Sequence, residues 1–153
     1  MECLTDKDME LIRKVTEDYI PFNTVLGLKV HAIESGKVSL RFDMKNELVG
    51  NFNAGMLHGG VISAVLDVAG GMSAFAGVLE KHAADSLEEK QKRFAKLGTI
   101  DIRIDYLRPG KGTSFLASGV ILRTGNKVAV TRMELHNQEN LLIAVGTGTY
   151  LVG

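Results

Sequence analysis

One aspartate, Asp67, interrupts an apolar run over residues 53–79, NAGMLHGGVISAVLDVAGGMSAFAGVL. A carboxylate in apolar surroundings is costly unless a partner pairs with it or a reaction uses it. Upstream of it stand His58, Gly59 and Gly60. If the run is a helix, its start offers unpaired backbone N–H groups and a partial positive charge, and glycine lets a bound group approach that backbone closely. The segment therefore combines a candidate base with a candidate anion-binding helix start.

The spacing between His58 and Asp67 limits how the two residues can cooperate. At about 100° and 1.5 Å per residue, their separation places Asp67 on the opposite side of a helix from His58 and roughly 13 Å further along the axis. One copy of the helix cannot aim both groups at one atom. A two-fold dimer with antiparallel central helices would instead set the helix start of one subunit opposite Asp67 of the other. The spacing predicts a composite site shared by two chains.

The apolar run itself predicts a helix over residues 58 to about 80, because it exceeds ordinary strand length and is rich in Ala, Leu and Met. It is apolar on nearly all faces, so protein should surround it. Its length of about 20 residues also suits a membrane span. The central Asp67, the recurring glycines and the lack of a second span argue against that interpretation. We expect a buried central helix and no membrane.

The chain before this helix predicts one helix and two strands. An amphipathic N-terminal helix should begin after its N-cap, Thr5, and stop at Pro21. Two β-rich runs follow, over residues 25–33 and 37–44, on either side of a tight turn at residues 34–36. These strands should form a hairpin that packs against the central helix.

The chain after the central helix predicts a short helix and then sheet. Ser86 and Glu89 have the spacing of a capping box, and Gly98 stands where a C-terminal cap would lie. Four antiparallel strands fill the rest of the chain, and the first places Ile100, Ile102, Ile104 and Tyr106 on one face. One sheet wrapped around one apolar helix is the simplest architecture for this order. A sheet of that size leaves part of the helix or an edge uncovered, which predicts at least a dimer.

Composition excludes several classes of function. The 153 residues suit one domain, and 18 Lys plus Arg balance 18 Asp plus Glu, which gives no basic footprint for nucleic acid. The single cysteine, Cys3, permits no intrachain disulfide, and the four histidines are scattered, so no metal is expected. The N-terminus is charged and lacks the apolar core of a secretory signal, which favours the cytoplasm.

The stretch GNFNAGMLHGGVISAVLD, followed by IDIRIDYLRPGKG, resembles the hotdog-fold acyl-CoA thioesterases, in the branch related to the phenylacetic-acid-pathway thioesterases. The resemblance covers roughly residues 22–152. It implies an α+β hotdog fold, with an antiparallel sheet around one long central helix. It also implies a single thioesterase domain over residues 1–153, with an N-terminal helix in 1–21 and a core in 22–152. Dimers would pair their sheets edge to edge, often two per tetramer, with active sites at the subunit interface.

The resemblance further implies hydrolysis of an acyl-CoA thioester to a free acid and coenzyme A, without a cofactor. Asp67 would be the general base or the nucleophile. The helix start of His58, Gly59 and Gly60 would polarise the thioester carbonyl, with the Gly60 amide as the first candidate for the oxyanion donor. An upstream asparagine would hold water or substrate, and Asn51 fits that position better than its neighbour Asn53.

Several alternatives stay open at the level of sequence. Asp67 could instead be a buried structural partner of a backbone amide or an arginine. Ser73 or Thr99 could orient the attacking water. Arg108 and Lys111, in the loop LRPGKG, stand where the family often brings positive charge to the nucleotide of coenzyme A, although strand-end charges are usually only solvated. A non-catalytic acyl-CoA-binding protein and an enoyl-thioester hydratase would use the same fold.

Overall fold

A computed structural model describes residues 3–153 and shows a six-stranded antiparallel sheet packed on one long helix. The helices are α1 (Asp6–Lys14), α2 (Pro21–Leu26), α3 (Gly59–Lys81) and α4 (Leu87–Phe94), with a π-helical turn at Val15–Tyr19 and a 3-10 turn at Asn46–Leu48. The strands are β1 (Lys29–Glu34), β2 (Lys37–Asp43), β3 (Val49–Asn51), β4 (Met56–Leu57), β5 (Gly98–Tyr106), β6 (Ser114–Thr124), β7 (Val128–Asn137) and β8 (Leu142–Leu151). The sheet order is β1-β2-β6-β7-β8-β5, and β3 pairs with β4 separately.

The central helix α3 packs against five strands of the sheet, β2, β5, β6, β7 and β8. By length and composition α3 would suit a membrane span, but 72% of its most apolar 18-residue window is buried inside the protein. Burial against the sheet therefore accounts for its apolar sequence. An antiparallel sheet around one long helix confirms the predicted α+β architecture.

The predicted caps of two helices are present. Thr5 accepts a hydrogen bond from the Asp8 backbone while the Asp8 carboxylate accepts one from the Thr5 backbone, and Ser86 and Glu89 form the same arrangement at α4. The predicted C-cap of α4, Gly98, is wrong. The helix α4 ends at Phe94 with Ala95 as its C-cap, and Gly98 is the first residue of β5.

Pro21 has a different role from the one the sequence suggests. The first helical segment does end before it, at Tyr19, but Pro21 also opens a second helix, α2, at its first position. Proline fits there because its fixed φ is helical and its missing N–H would be unpaired anyway. The predicted first strand therefore begins at Lys29 rather than near residue 25.

A bulge in β5 changes which side chains of that strand face the core. The pairing of β5 with β8 shifts register between Thr99 and Asp101. Ile102 and Ile104 pack against the core as expected, whereas Ile100 is 57% exposed. The predicted single face of four residues is therefore wrong at Ile100, because an extra residue in a strand turns its neighbours toward the other face.

An ion pair fastens α4 to α1. Lys90 Nζ lies 2.7 Å from Asp8 Oδ1, and the two side chains are 7% and 2% exposed. Burial raises the pKa of the Asp8 carboxyl, but the hydrogen bonds from Lys90 and Thr5 together outweigh it and hold that pKa below its usual value. This ion pair therefore anchors the segment between α3 and β5 to the N-terminal helix.

Candidate active site

The helix α3 starts at a histidine cap. The Gly60 N–H donates a hydrogen bond of 2.8 Å to His58 Nδ1, and the His58 N–H donates to Leu48 O at 2.8 Å. An Nδ1 that accepts a hydrogen bond carries no proton, so the neutral ring has its proton on Nε2. The His58 residue is exposed, so its ring is accessible to a bound group. The Gly60 amide would reach an oxyanion only if His58 turned away, so its role stays a prediction.

Asp67 is half-buried and receives two side-chain hydrogen bonds on one oxygen. Thr99 donates to Asp67 Oδ1 at 2.9 Å, and the Tyr150 hydroxyl lies 3.2 Å from the same atom and 3.0 Å from the Asp67 backbone oxygen. Two donors on Oδ1 hold the carboxylate in one orientation. The second oxygen, Oδ2, receives no hydrogen bond from the part of the chain that the structure describes. This arrangement suits a carboxylate that acts on water or on a substrate through Oδ2.

Tyr150 is a permanent donor at this site. Burial, then the negative charge of Asp67 and the hydrogen bond to it, raise the pKa of the Tyr150 hydroxyl well above its usual value, so it stays protonated. Glycines make room for its ring and hydroxyl. A Cβ on Gly148 would lie 2.7 Å from the Tyr150 ring, and one on Gly70 would lie 2.8 Å from Thr131 Oγ1 beside the hydroxyl. Gly70, directly after Ala69, therefore permits the close approach of Tyr150 to the helix.

The helix start at His58 and the side chain of Asp67 are contacted by opposite ends of β5. The Tyr106 hydroxyl, at the last residue of β5, donates to Gly59 O at 3.2 Å, whereas Thr99, near the first residue, holds Asp67. The seven residue steps from Thr99 to Tyr106 span roughly 23 Å of strand. One chain therefore does not bring its helix start and its aspartate together, in agreement with the helical spacing.

Ser73 and Thr99 are separated by their contacts. Ser73 is fully buried, lies 2.8 Å from the carbonyl oxygens of Ala69 and Gly119, and accepts a hydrogen bond of 3.0 Å from the Val38 N–H. Its hydroxyl joins α3 to β2 and β6 and is closed to substrate. Thr99 alone of the two contacts Asp67, so it is the one that is placed to orient a group there.

The upstream asparagine Asn51 is the last residue of β3, and Asn53 lies in the turn between β3 and β4. Asn51 Oδ1 accepts a hydrogen bond of 3.2 Å from the Ala54 N–H, and both Asn51 and Asn53 are exposed. The hairpin packs tightly against the helix start, because a Cβ on Gly50 would lie 2.6 Å from His58 Cα. Asn51 therefore stands close to the helix start in the chain fold, but its observed contact is within its own turn.

A groove of about 370 Å³ leads away from the helix start. Its walls are Met56, Leu57, Gly59, Ile62 and the segment 106–110. Arg108 lies in this wall and donates from Nη1 to Leu142 O at 2.9 Å, whereas Lys111 is exposed just beyond it. Within residues 3–153 no three His, Cys, Asp or Glu side chains are grouped as metal ligands.

Sequence reasoning missed two tyrosines of this region. Tyr150 contacts Asp67 from 83 residues away, and the Tyr106 hydroxyl contacts both Gly59 O and the Ser63 hydroxyl. Tyr106 had a signal, since it precedes the Leu-Arg-Pro-Gly turn that carries the family resemblance. For Tyr150 the only signal is the glycine two positions before it, which is too common to select a residue.

Comparison with known proteins identifies the class. The model of the thioesterase superfamily matches residues 54–144, so the chain belongs to that superfamily, has its hotdog fold, and is an enzyme of the thioester hydrolase class. The matched region contains the helix start, Asp67, Thr99 and the groove.

Individual relatives extend over the whole chain. The Escherichia coli K12 protein named medium/long-chain acyl-CoA thioesterase YigI is 43% identical over 148 residues, which are 97% of this chain and 96% of that one. A crystal structure from Shewanella oneidensis, described as related to the thioesterase superfamily, is 46% identical with a TM-score of 0.91 and covers 96% of both chains. The E. coli PaaI protein of the phenylacetic acid degradation operon has the same fold, with a TM-score of 0.70 at 17% identity over 88% of this chain and 85% of that one.

Proposed function

We propose that this protein hydrolyses acyl-CoA thioesters to a free carboxylic acid and coenzyme A. The observation that carries the proposal is Asp67, whose Oδ1 is fixed by Thr99 and Tyr150 while Oδ2 is left for the reaction. The E. coli relative at 43% identity, named a medium/long-chain acyl-CoA thioesterase, supports the substrate class. Medium and long acyl chains are therefore the first substrates to test.

In the proposed reaction Asp67 acts through Oδ2. As general base, it takes a proton from a water molecule while the water oxygen attacks the thioester carbonyl carbon. As nucleophile, it attacks that carbon directly, and water then hydrolyses the mixed anhydride. In both routes the carbonyl oxygen becomes negative in a tetrahedral intermediate, whose collapse expels the coenzyme A thiolate. In the base route the thiolate takes the proton held by Asp67; in the nucleophile route it takes a proton from solvent, and hydrolysis of the anhydride returns the Asp67 carboxylate. A positioned base contributes about a hundred- to ten-thousand-fold to such a rate.

The second half of the proposed site comes from another subunit. The strand β5 is an edge of the six-stranded sheet, and its outer edge is free to pair with a second copy. An antiparallel β5–β5 pair centred between Ile102 and Arg103 would set Thr99 of one chain opposite Tyr106 of the partner subunit. Because Thr99 holds Asp67 and Tyr106 holds the helix start, this register joins the two halves. The proposal includes a homodimer, or two dimers in a tetramer.

Donors for the oxyanion are proposed at the partner's helix start. The His58 Nε2–H, the Gly59 amide and the Gly60 amide are the candidates, and the positive end of α3 favours the developing charge. Asn51 would border the same space, and Arg108 and Lys111 would attract the nucleotide end of coenzyme A. A cytoplasmic location and a single domain over residues 1–153 stay predictions.

The test is release of free thiol from a panel of acyl-CoA substrates. The wild type should hydrolyse at least one of them, and Asp67→Asn should lower kcat at least about a hundredfold. Asp18→Asn, an exposed carboxylate of the π-helical turn, is the matched control and should keep full activity. An active Asp67→Asn variant would remove Asp67 from the chemistry. Tight binding without turnover would indicate a binding protein, and a product that keeps its thioester would indicate a hydratase.

A further inference from the structure

A second cavity, of about 310 Å³, opens on the outer face of the sheet. Arg41 on β2, Leu116 on β6 and His136 on β7 are neighbours in one row across three strands. Adjacent strands are about 4.8 Å apart, so Arg41 and His136 stand roughly 10 Å apart, on either side of Leu116. The cationic Arg41 and the imidazole of His136 thus lie on either side of the cavity, with Leu116 between them as its apolar floor.

Two further donors border this cavity. His31 occupies a bulge in β1, where the register shifts between Val30 and Ala32, and it also lines the cavity. A bulge re-aims the side chain it carries. Gln138 lines the opposite side, where its Oε1 accepts a hydrogen bond of 3.0 Å from the Thr113 N–H. Its Nε2 donors are thereby left for a ligand.

The neighbouring carboxylates bind these groups only loosely. Arg41 Nη2 lies 3.5 Å from Asp43 Oδ1, and His136 Nε2 lies 3.8 Å from Glu134 Oε2. Charge-assisted hydrogen bonds are usually 2.7–2.9 Å long, so both contacts are long. The Asp43 side chain is mostly exposed, as is much of Glu134, and water can solvate either carboxylate if its partner turns to an anion.

This cavity and the groove at the helix start share one loop. The loop between β5 and β6 lines the groove with residues 107–110, and the start of β6 then lines the cavity with Ser114 and Leu116. Asn137, also a cavity residue, donates from Nδ2 to Lys111 O at 2.9 Å and ties the two walls together. The groove and the cavity therefore lie on either side of the loop between β5 and β6.

We propose that the outer-face cavity is a binding site for a phosphate group, with Arg41 as the charged donor, His31, His136 and Gln138 as further hydrogen-bond donors, and Leu116 as the floor. Arginine suits this role because its planar fork matches two phosphate oxygens at once. Coenzyme A, whose nucleotide carries a 3′-phosphate and a pyrophosphate, is one source, and this assignment rests on the proposed function. A free phosphorylated metabolite is the other source.

The experiment compares Arg41→Ala and His136→Ala with wild type on three substrates. These are an acyl-CoA, the same acyl-dephospho-CoA, and the same acyl group on N-acetylcysteamine, which has no phosphate. Arg41→Ala should raise KM for the acyl-CoA about tenfold and leave its kcat within about twofold, while the phosphate-free thioester is unaffected. Arg132→Ala, an exposed arginine on the same face of β7, is the matched control and should change neither value.

Direct titration of wild type and Arg41→Ala with inorganic phosphate and with adenosine 3′,5′-bisphosphate separates the two sources. Loss of phosphate binding in the variant together with the KM effect assigns the site to coenzyme A. Loss of phosphate binding with unchanged KM assigns it to a free phosphorylated ligand. If the variant changes neither, or if wild type binds neither anion, the proposal is overturned. If wild type releases no thiol from any acyl-CoA, the proposed function fails, and the titrations still decide the phosphate site.

Discussion

The two halves of α3 differ in what surrounds their polar residues. In the first half, Gly59–Ala69, exposed, half-buried and buried positions are mixed, and Asp67 is half-buried. In the second half, from Gly70, every residue through Glu80 is buried. A second subunit can therefore reach the first half, whereas the second half is already enclosed by its own sheet.

Three polar side chains show what this difference means. Asp67 accepts hydrogen bonds from two side-chain hydroxyls on one carboxylate oxygen. Ser73 contacts backbone groups of three elements. Glu80 is 3% exposed, and neither of its carboxylate oxygens has a hydrogen-bond partner. A polar residue inside an apolar helix is thus not evidence of chemistry by itself. The kind of partner, and an oxygen left without one in a reachable place, distinguish Asp67 from the other two.

The largest expected effect is a loss of activity on substitution of Asp67, in the first half of α3. Asp67→Asn should reduce kcat at least about a hundredfold while the free energy of unfolding stays within about 1 kcal/mol, because the amide keeps the shape and loses the base. Thiol release and chemical denaturation measure the two quantities. A large loss of stability would show that Asp67 is a structural residue and would erase the contrast between the halves.

A substitution packed against the second half of α3 should lower stability. At Gly119 an added Cβ would lie 2.6 Å from Ser73 Oγ and would clash with the Ala69 carbonyl oxygen as well. Gly119→Ala should therefore lower the free energy of unfolding by about 1–3 kcal/mol, as overpacking does. Urea denaturation measures it, with Gly98→Ala as the control, since a Cβ there meets no atom within 4 Å. Equal stability of the two variants would contradict the tight packing of α3 on β6.

A smaller loss of activity should show whether the Thr99 hydroxyl orients Asp67. Thr99→Val removes the hydroxyl that holds Asp67 Oδ1 and should lower kcat about tenfold with KM little changed. Thr99→Ser should restore most of the activity, because it keeps the hydroxyl. If valine and serine at this position gave the same kcat, the hydrogen bond would have no part in orienting Asp67.

The smallest expected change is a gain. Glu80→Gln should raise the free energy of unfolding by about 1 kcal/mol, because a neutral amide is less costly to bury without partners than a carboxylate. Thermal and urea denaturation at neutral pH measure it, and Glu139→Gln, an exposed residue between β7 and β8, should be neutral. A clear destabilisation by Glu80→Gln would mean that the Glu80 carboxylate has a partner in the assembled protein.

Much of this molecule follows from local sequence, and the rest depends on long-range pairing. The apolar run, the two capping boxes and the alternating strands are local signals, and each predicted its element. The bulge at Ile100 depends on how β5 pairs with β8, which no short window contains. Tyr150 reaches Asp67 for the same reason, through the order of the strands around α3. Sequence thus singled out Asp67, the proposed reacting group, and missed Tyr150, which contacts it.

The ion pair between Asp8 and Lys90 makes the N-terminal helix α1 part of the folded domain. The family model matches only residues 54–144, which makes the N-terminal helix look like a removable extension. Deleting α1 would leave the Lys90 ammonium buried without its counter-ion and would uncover the core positions that Leu11 and Ile12 cover. A shortened chain that starts at residue 22 is therefore the wrong starting point for enzymology, and any fusion partner belongs ahead of Thr5, outside the first helix.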